Sequence, residues 1–471
     1  MVREYVGARY VPIYDGDWDN TKVYEPLTMV SVANVGTYTS KKYVPAGVDI
    51  SDTEYWALSG LYSGQIASLE NRVDTIENDL TNTITPDIAL LQTQMTAVDT
   101  KLGSFWIDPD DYTGTDAQKI QAAYDDAVAI TTDASQTYNA TIVIKREFDL
   151  TGSTILLKNT VKAHSVGGGG YITFLGIGQG GFHKDDMDQP SNGTNFMFAK
   201  DPGHTGYTYR HRFINIRFSA PECPTTGPGY PDPTSTADDR ITRHASVFRL
   251  KGLAWTYIEN CYFTYVCYAF DGVADTDPSD LPVGLYCSNN HYIYCSGVFR
   301  GGAAFNACYF DHEEIGLCVV GFNFSDGASN VFVVRDCIIE YMYFYAFQFA
   351  AGGTCTLVTI ENNYIEGCKS SVLEMASAMV KVFNFISNML TIGGSGTDAS
   401  SKGLRLYANA TNRLNIDFNR FHAASNITTD FIQASATAAG SVNNARGNYF
   451  EGGGSGFVNI NTNISSYINL D

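Results

Sequence analysis

Through the second half of this 471-residue chain a four-residue phrase keeps returning: a polar or small residue, then Asn or Cys, then two large residues. It reads Asn260-Cys261-Tyr262-Phe263, Ala307-Cys308-Tyr309-Phe310, Asp336-Cys337-Ile338-Ile339, Asn362-Asn363-Tyr364-Ile365, Ser387-Asn388-Met389-Leu390, Phe418-Asn419-Arg420-Phe421 and Gly447-Asn448-Tyr449-Phe450. The second positions are 47, 29, 26, 25, 31 and 29 residues apart, and the wide first step leaves room for another turn at Asn290-His291-Tyr292-Ile293. Such a period marks a solenoid, in which each repeat buries its apolar face only against its neighbours. Segments such as Leu357-Val358-Thr359-Ile360 and Val331-Phe332-Val333-Val334 are short, β-branched or aromatic, and bounded by Gly, Ser, Asn or Asp, so the repeating unit is strand and turn. Stacked at about 4.8 Å per rung, Asn363, Asn388, Asn419 and Asn448 form an amide ladder, which Cys261, Cys308 and Cys337 continue as small buried groups.

Composition agrees and narrows the partners. The 44 glycines and 13% aromatic residues suit a turn-rich β protein, and ten cysteines without CxxC pairs read as reduced buried thiols. There is no run of eighteen apolar residues, and MVREYVGARY is not a signal peptide, so a soluble, non-secreted chain is expected. A net charge of −20 with no basic run excludes nucleic acid and an anionic membrane as partners, and favours a neutral or zwitterionic glycan over a polyanionic one. No cofactor or metal is expected. The histidines lack H-x-x-x-H spacing, Gly167 to Gly170 are not followed by Lys-Ser/Thr, and Asp271, Asp275, Asp277 and Asp280 do not match an EF-hand and read as a solvated acidic loop.

Three domains are expected. Residues 61–103 carry heptad seams, with Ile66, Leu69, Val73, Ile76 and Leu80 spaced 3-4-3-4 and then Ile84, Ile88, Leu91, Met95, Val98 and Leu102 spaced 4-3-4-3-4. The second block is one residue out of phase, with Pro86 at the slip. β-Branched residues at both a and d favour a parallel homotrimeric coiled coil, and the alternative is a helical hairpin bent at Pro86. Residues 1–60 are aromatic-rich; Trp18, Tyr24-Glu25-Pro26-Leu27, Gly36-Thr37-Tyr38, Pro45 and Glu54-Tyr55-Trp56 resemble small chitin-binding modules. Tyr5 to Pro12 with Ser40-Lys41-Lys42 also resemble the N-terminal module of appendage proteins from bacteriophages of Gram-positive hosts. In one reading Trp18, Tyr38 and Trp56 stack on a sugar; in the other they are the core of a small virion-anchoring domain.

Residues 104–471 form the third domain. Thr115 as N-cap and Gln118 at N3 make a capping box opening a helix with Ile120, Ala123, Ala127 and Val128 on one face, a lid for the open first rung. The stretch Gly114-Thr115-Asp116 to Ala122-Ala123, with Thr141 to Ile144, Thr154 to Leu157 and Leu175 to Gly178, resembles the pectate-lyase-like family of phage tailspikes. Gln118-Lys119 departs slightly from that family's phrase. Over about residues 108–460 the resemblance implies a right-handed parallel β-helix, and the order anchor, stalk, β-helix implies a virion appendage, a tailspike or tail fibre, assembled in the host cytoplasm and held to other virion proteins by its N-terminus.

The residue after each phrase places Asp311, Glu340 and Glu366 in one column on successive rungs. Neighbours would stand about 5 Å apart, the separation of a retaining glycosidase pair, with one pKa raised by the other's charge. The alternative is ordinary turn chemistry, as the same placement of Glu451 shows. Tyr230, in the Pro/Gly-rich insertion after Pro221, and Trp255, Tyr341, Tyr343 and Tyr345 are candidates to stack on a glycan, the last three alternating onto one face, inside or outside. The expected function is binding of a bacterial surface polysaccharide during host adsorption; alternatives are a depolymerase using Asp311, Glu340 and Glu366, or a purely structural fibre.

Overall fold

The computed structural model describes residues 11–132, 139–159, 170–186, 195–222, 244–272, 282–301, 305–324, 328–349, 354–376, 379–392, 402–407, 413–423, 432–435, 442–444, 446–452 and 458–460. The chain divides into two compact units, Met1–Thr100 and Lys101–Asp471.

In the first unit, strands Ile13–Asp17, Thr28–Val32, Gly36–Ser40 and Trp56–Leu61 form one sheet in that order, the first pair parallel and the rest antiparallel. Its core is Tyr24, Val30, Val44 and Trp56, with Trp18 and Tyr38 packed partly buried against it. Trp56 is only 2% exposed and meets Tyr24 edge-on at 5.3 Å. Its ring is therefore core rather than a platform for a sugar, as a domain this small requires. A helical run follows: α1 (Tyr62–Asp79), a π-turn (Leu80–Ile84) and α2 (Thr85–Phe105). Asp79, Leu80 and Thr85 all keep helical backbone angles, so the chain does not reverse at Pro86. The Thr85 N–H bonds back to the Leu80 carbonyl. A π-turn adds one residue to an α-helix, which is the one-place slip between Leu80 and Ile88 in the heptad count, and it sits where Pro86 lacks an N–H. Leu69, Val73, Ile76, Leu80, Ile88, Leu91 and Met95 are all exposed in the single chain.

The second unit is a right-handed parallel β-helix of three sheets. Among the described residues, each rung passes from sheet I (13 strands, from Trp106–Ile107 to Val442–Asn444) through a corner to sheet II (11 strands, Glu147–Asp149 to Tyr449–Gly452), then to sheet III (11 strands, Ile155–Leu157 to Val458–Ile460). The first residue of the repeated phrase is the corner between sheets I and II. Asn260, Asp336, Asn362, Ser387, Phe418 and Gly447 have φ between 54° and 62°, the left-handed region that Asn, Asp and Gly tolerate best. The second residue turns inward and forms the ladder. The backbone N–H of Cys337 donates to Asn363 Oδ1 (2.9 Å), that of Asn363 to Asn388 (3.0 Å), that of Asn388 to Asn419 (2.8 Å) and that of Asn419 to Asn448 (3.0 Å).

Two placements differ from the sequence reading. Ala307-Cys308-Tyr309-Phe310 belongs to a sheet I strand, so Cys308 is buried outside the ladder and Asp311 ends that strand. The corner of this rung is His312 (φ 57°), and Glu313 takes the ladder position. The extra turn also begins one residue earlier than expected, at Asn289 (φ 56°), with Asn290 in the ladder.

The interior is packed with stacked aromatic rings: Phe182 on Phe218 (5.8 Å), Phe218 on Phe263 (4.8 Å) and Phe263 on Tyr292 (4.7 Å). The nine cysteines among the described residues are buried free thiols. Helix α3 (Asp116–Thr131) carries the expected capping box and lays Ile120, Ala123, Tyr124 and Ala127 into the same core. The Tyr124 hydroxyl accepts from the backbone N–H of Lys158 and Asn159 and bonds His211 Nε2 at 3.0 Å, which ties the lid to the rungs beneath. No helix among the described residues is long and apolar enough to cross a membrane.

Candidate functional site

Sheet II is built from short strands whose middle residue enters the core, as Phe263, Tyr292, Ile315, Ile339, Ile365 and Leu390 do, while the two flanking residues point outward. One outer column runs Tyr262, His291, Glu314, Ile338, Tyr364, Met389, Arg420, Tyr449. From Tyr262 onward, every exposed large hydrophobic residue among the described ones stands on this face or its corners: Tyr262, Ile338, Tyr341, Met389, Phe418 and Tyr449. Tyr262 and His291 stack at 4.8 Å, and His291 Nδ1 lies 3.0 Å from Glu314 Oε2.

The second outer column holds Gly316, Glu340, Glu366, Thr391, His422 and Glu451 in register. Glu340 and Glu366 are direct partners, so their carboxylates are one rung apart, about 5 Å. Burial, then the charges of Glu366 and Glu314, pushes Glu340 above the usual carboxylate range. The Tyr364 hydroxyl donates to Glu366 Oε2, and that bond first, with burial second, pushes Tyr364 up to about 12. Gly316, the rung before Glu340, leaves a recess: a Cβ there would meet nothing nearer than the Glu340 carbonyl at 4.0 Å. The Tyr341 ring lies over Gly367, whose absent Cβ would come within 2.9 Å of it. A carboxyl raised above its usual range beside a second one, in a recess rimmed by aromatic and apolar side chains, is equipment for acid–base chemistry on a glycosidic bond, and equally for sugar binding.

Asp311 does not join this pair. It faces outward from sheet I and accepts from Arg335 at 2.9 Å; burial opposes its ionisation, but that bond and charge hold its carboxyl below the usual range. Asp311, His312 and Asp336 bring potential ligand atoms within 4.8 Å of one another, yet Asp311 is paired with Arg335 and Asp336 accepts from Asn362, as a turn network does. Tyr343 and Tyr345 lie outside the main core: Tyr343 packs in a small outer cluster with Val319 and Val320, under Lys369 Nζ at 4.3 Å. Trp255 faces outward from sheet I beside Tyr209 at 5.4 Å, its backbone held at φ 50°. That conformation costs a bulky residue about 1–2 kcal/mol, a strain that collects at functional positions. Tyr230 and the insertion beyond Glu222 lie outside the described residues. Asp271 is not part of a solvated loop; it is buried and doubly bonded to Arg300 at 2.6 and 3.0 Å, while Asp275, Asp277 and Asp280 lie outside the described residues.

Sequence reasoning missed Glu313. It is 1% exposed, accepts from Asn290 Nδ2 at 3.2 Å, and burial pushes it up to about 8. Its Oε2 and the neighbouring Tyr292 hydroxyl are both buried without a hydrogen-bond partner of good geometry.

No protein-family model and no curated protein matches the chain. Among solved structures, it is similar to a tailspike protein of Acinetobacter baumannii phage AM24 (11% identity, 78% of this chain and 56% of that chain, TM-score 0.41). It is also similar to a surface adhesin of Streptococcus pneumoniae (10%, 75% and 93%, TM-score 0.39) and to the A-module of a mannuronan C-5 epimerase from Azotobacter vinelandii (12%, 78% and 100%, TM-score 0.38). At such identities the likeness is one of architecture, and function has to come from the site.

Proposed function

We propose that this chain is a bacteriophage tail appendage that binds a bacterial surface glycan along the sheet II face of its β-helix, works as a homotrimer, and is held to the virion through residues 1–60. The supporting observation is the gathering of exposed apolar and aromatic side chains on that one face, interleaved with hydrogen-bonding carboxylates. Such mixed surfaces suit sugars, whose C–H faces stack on aromatic rings while their hydroxyls take polar partners. The net charge of −20 favours a neutral glycan. A second reading, hydrolysis, is favoured by Glu340 and Glu366 standing as register partners with Glu340 raised toward a general acid.

One experiment separates the two. Purified host wall and capsular polysaccharides are incubated with the wild-type chain, Glu340→Gln and Glu366→Gln, and both bound glycan and new reducing ends are measured. Hydrolysis predicts a loss of reducing-end release of about 10²-fold or more in either variant, with binding retained. Binding without release in the wild type makes the chain an adhesin. A wild type that neither binds nor cleaves defeats both readings.

A further inference from the structure

Sheet I carries a second aromatic surface on its outer side. Tyr257, Tyr286 and Tyr309 are register partners on three successive rungs, stacked at 4.9 and 5.2 Å with rings 12° and 4° from parallel. Their faces are occupied by one another, so each turns its hydroxyl edge outward. Tyr171 closes one end, edge-on to Tyr257 at 5.8 Å. Beside this ladder the Trp255 indole edges Gly284, where an added Cβ would come 2.9 Å from Trp255 Cδ1 and 3.0 Å from Tyr286 Cε2, and its ring stands 5.4 Å from that of Tyr209, tilted by 33°. All of these rings are partly exposed and none belongs to the hydrophobic core.

Arg212 pairs with Glu259 at 2.9 Å and Arg335 with Asp311 at 2.9 Å, while Arg210 lies over the Tyr171 ring at 5.1 Å at the end of the band, so the ring edges between them are polar without carrying charge of their own. The rings recur at 4.9 and 5.2 Å, one per rung, comparable to one pyranose unit of an extended chain. We infer that this band is a second carbohydrate subsite, separate from the sheet II face, which takes a neutral extended glycan running along the solenoid axis. In it, Trp255 supplies the stacking face and Tyr257, Tyr286 and Tyr309 supply one hydroxyl per rung. The inference rests on the glycan-binding reading above, but on different residues.

The test uses the full chain on a printed array of neutral and anionic bacterial-surface oligosaccharides, followed by titration of the best binder with indole fluorescence as readout. Of the four tryptophans, Trp18 and Trp56 lie in the first unit and Trp106 in the first strand of sheet I, four rungs before Tyr257, so Trp255 alone stands beside the tyrosine ladder. Trp255→Ala is expected to weaken binding of a neutral glycan about tenfold or more and to abolish the saturable fluorescence change. Tyr286→Phe with Tyr309→Phe, which keeps both rings, is expected to weaken it severalfold with an unchanged melting temperature. Neutral binding that survives Trp255→Ala in a folded variant, or binding of anionic glycans alone, overturns this subsite while leaving the sheet II reading intact. No binding to any glycan defeats both. Fluorescence of Trp255, taken as the difference between wild type and Trp255→Phe, that iodide cannot quench would make the band a contact between copies and also overturns it.

Discussion

At the scale of single residues, Glu313 is the most consequential departure from the repeat. From Cys261 to Asn448 the ladder position otherwise holds Asn or Cys, which bring no charge; here it holds a carboxyl inside the solenoid. Facing it are Tyr292 from sheet II, Asn290 and Cys337 from the rungs on either side, and Cys287 and Cys261, with Asp311 as the nearby anion; none is a cation. Its folded pKa, about 8, lies above the unfolded value of 4.5. Between these values the native state holds a proton that the unfolded chain has released, so stability falls as pH rises through this window. The stabilisation is fully present below pH 4.5, and its loss by pH 8 is at most about 5 kcal/mol. The melting temperature of the wild type is expected to fall between pH 5 and pH 8.5. Glu313→Gln, which carries an amide like the rest of the ladder, should show a flatter profile over that range, close to wild type at pH 5 and more stable at pH 8.5. Parallel profiles for the two proteins would show that Glu313 does not hold the proton.

At the scale of the element, the ladder is where sequence and structure meet most directly. Asn388 accepts from the backbone and side-chain N–H of Asn363 (3.0 and 2.9 Å) and donates to the Ile360 carbonyl (2.9 Å) and to Asn419 Oδ1 (3.1 Å). Asn388→Ala would strand several buried groups at once and is expected to cost about 3 kcal/mol or more, read as a shift in the urea midpoint of the β-helix transition. Asn388→Cys should cost less, since Cys337 already serves one rung type through its sulfur, accepting from the Glu313 N–H at 3.3 Å. The ladder was legible because its neighbours need special chemistry: an inward amide preceded by a residue able to take positive φ. Asp311 was misplaced because Ala307-Cys308-Tyr309-Phe310 copies the large-residue alternation of the phrase within a sheet I strand. Period-2 alternation is the same on all three sheets, so only the poor left-handed propensity of Ala307, against Asp336 or Asn362, distinguished strand from corner. Alternation also put Tyr341, Tyr343 and Tyr345 on one face, but Tyr341 is a corner at φ 57° and the next strand opens only at Tyr345, so no single strand orders the three. The Glu340–Glu366 pair was legible, because there the phrase and the true register coincide.

At the scale of the whole molecule, the question is what covers the helical run of the first unit. Its seam residues are left to solvent, Ile76 at 62% and Met95 at 66%, and the π-turn keeps both halves of the seam on one count across Pro86. A stripe of this length has no partner within its own unit among the described residues, and β-branched residues at a and d favour three strands. Light scattering is therefore expected to report three times the 51.5 kDa chain mass. Ile76→Asp combined with Ile88→Asp places charges in the seam on both sides of the π-turn and should return the chain to 51.5 kDa. Because the β-helix belongs to a separate compact unit, its melting transition should survive that change. Binding to a glycan-coated surface should then fall by about 10²-fold or more through lost avidity, while the affinity of one site for a short soluble oligosaccharide stays as it was. Equal loss in both assays would place part of each glycan site between copies. A wild type that scatters as a single chain would overturn the trimer and leave the exposed seam to another partner.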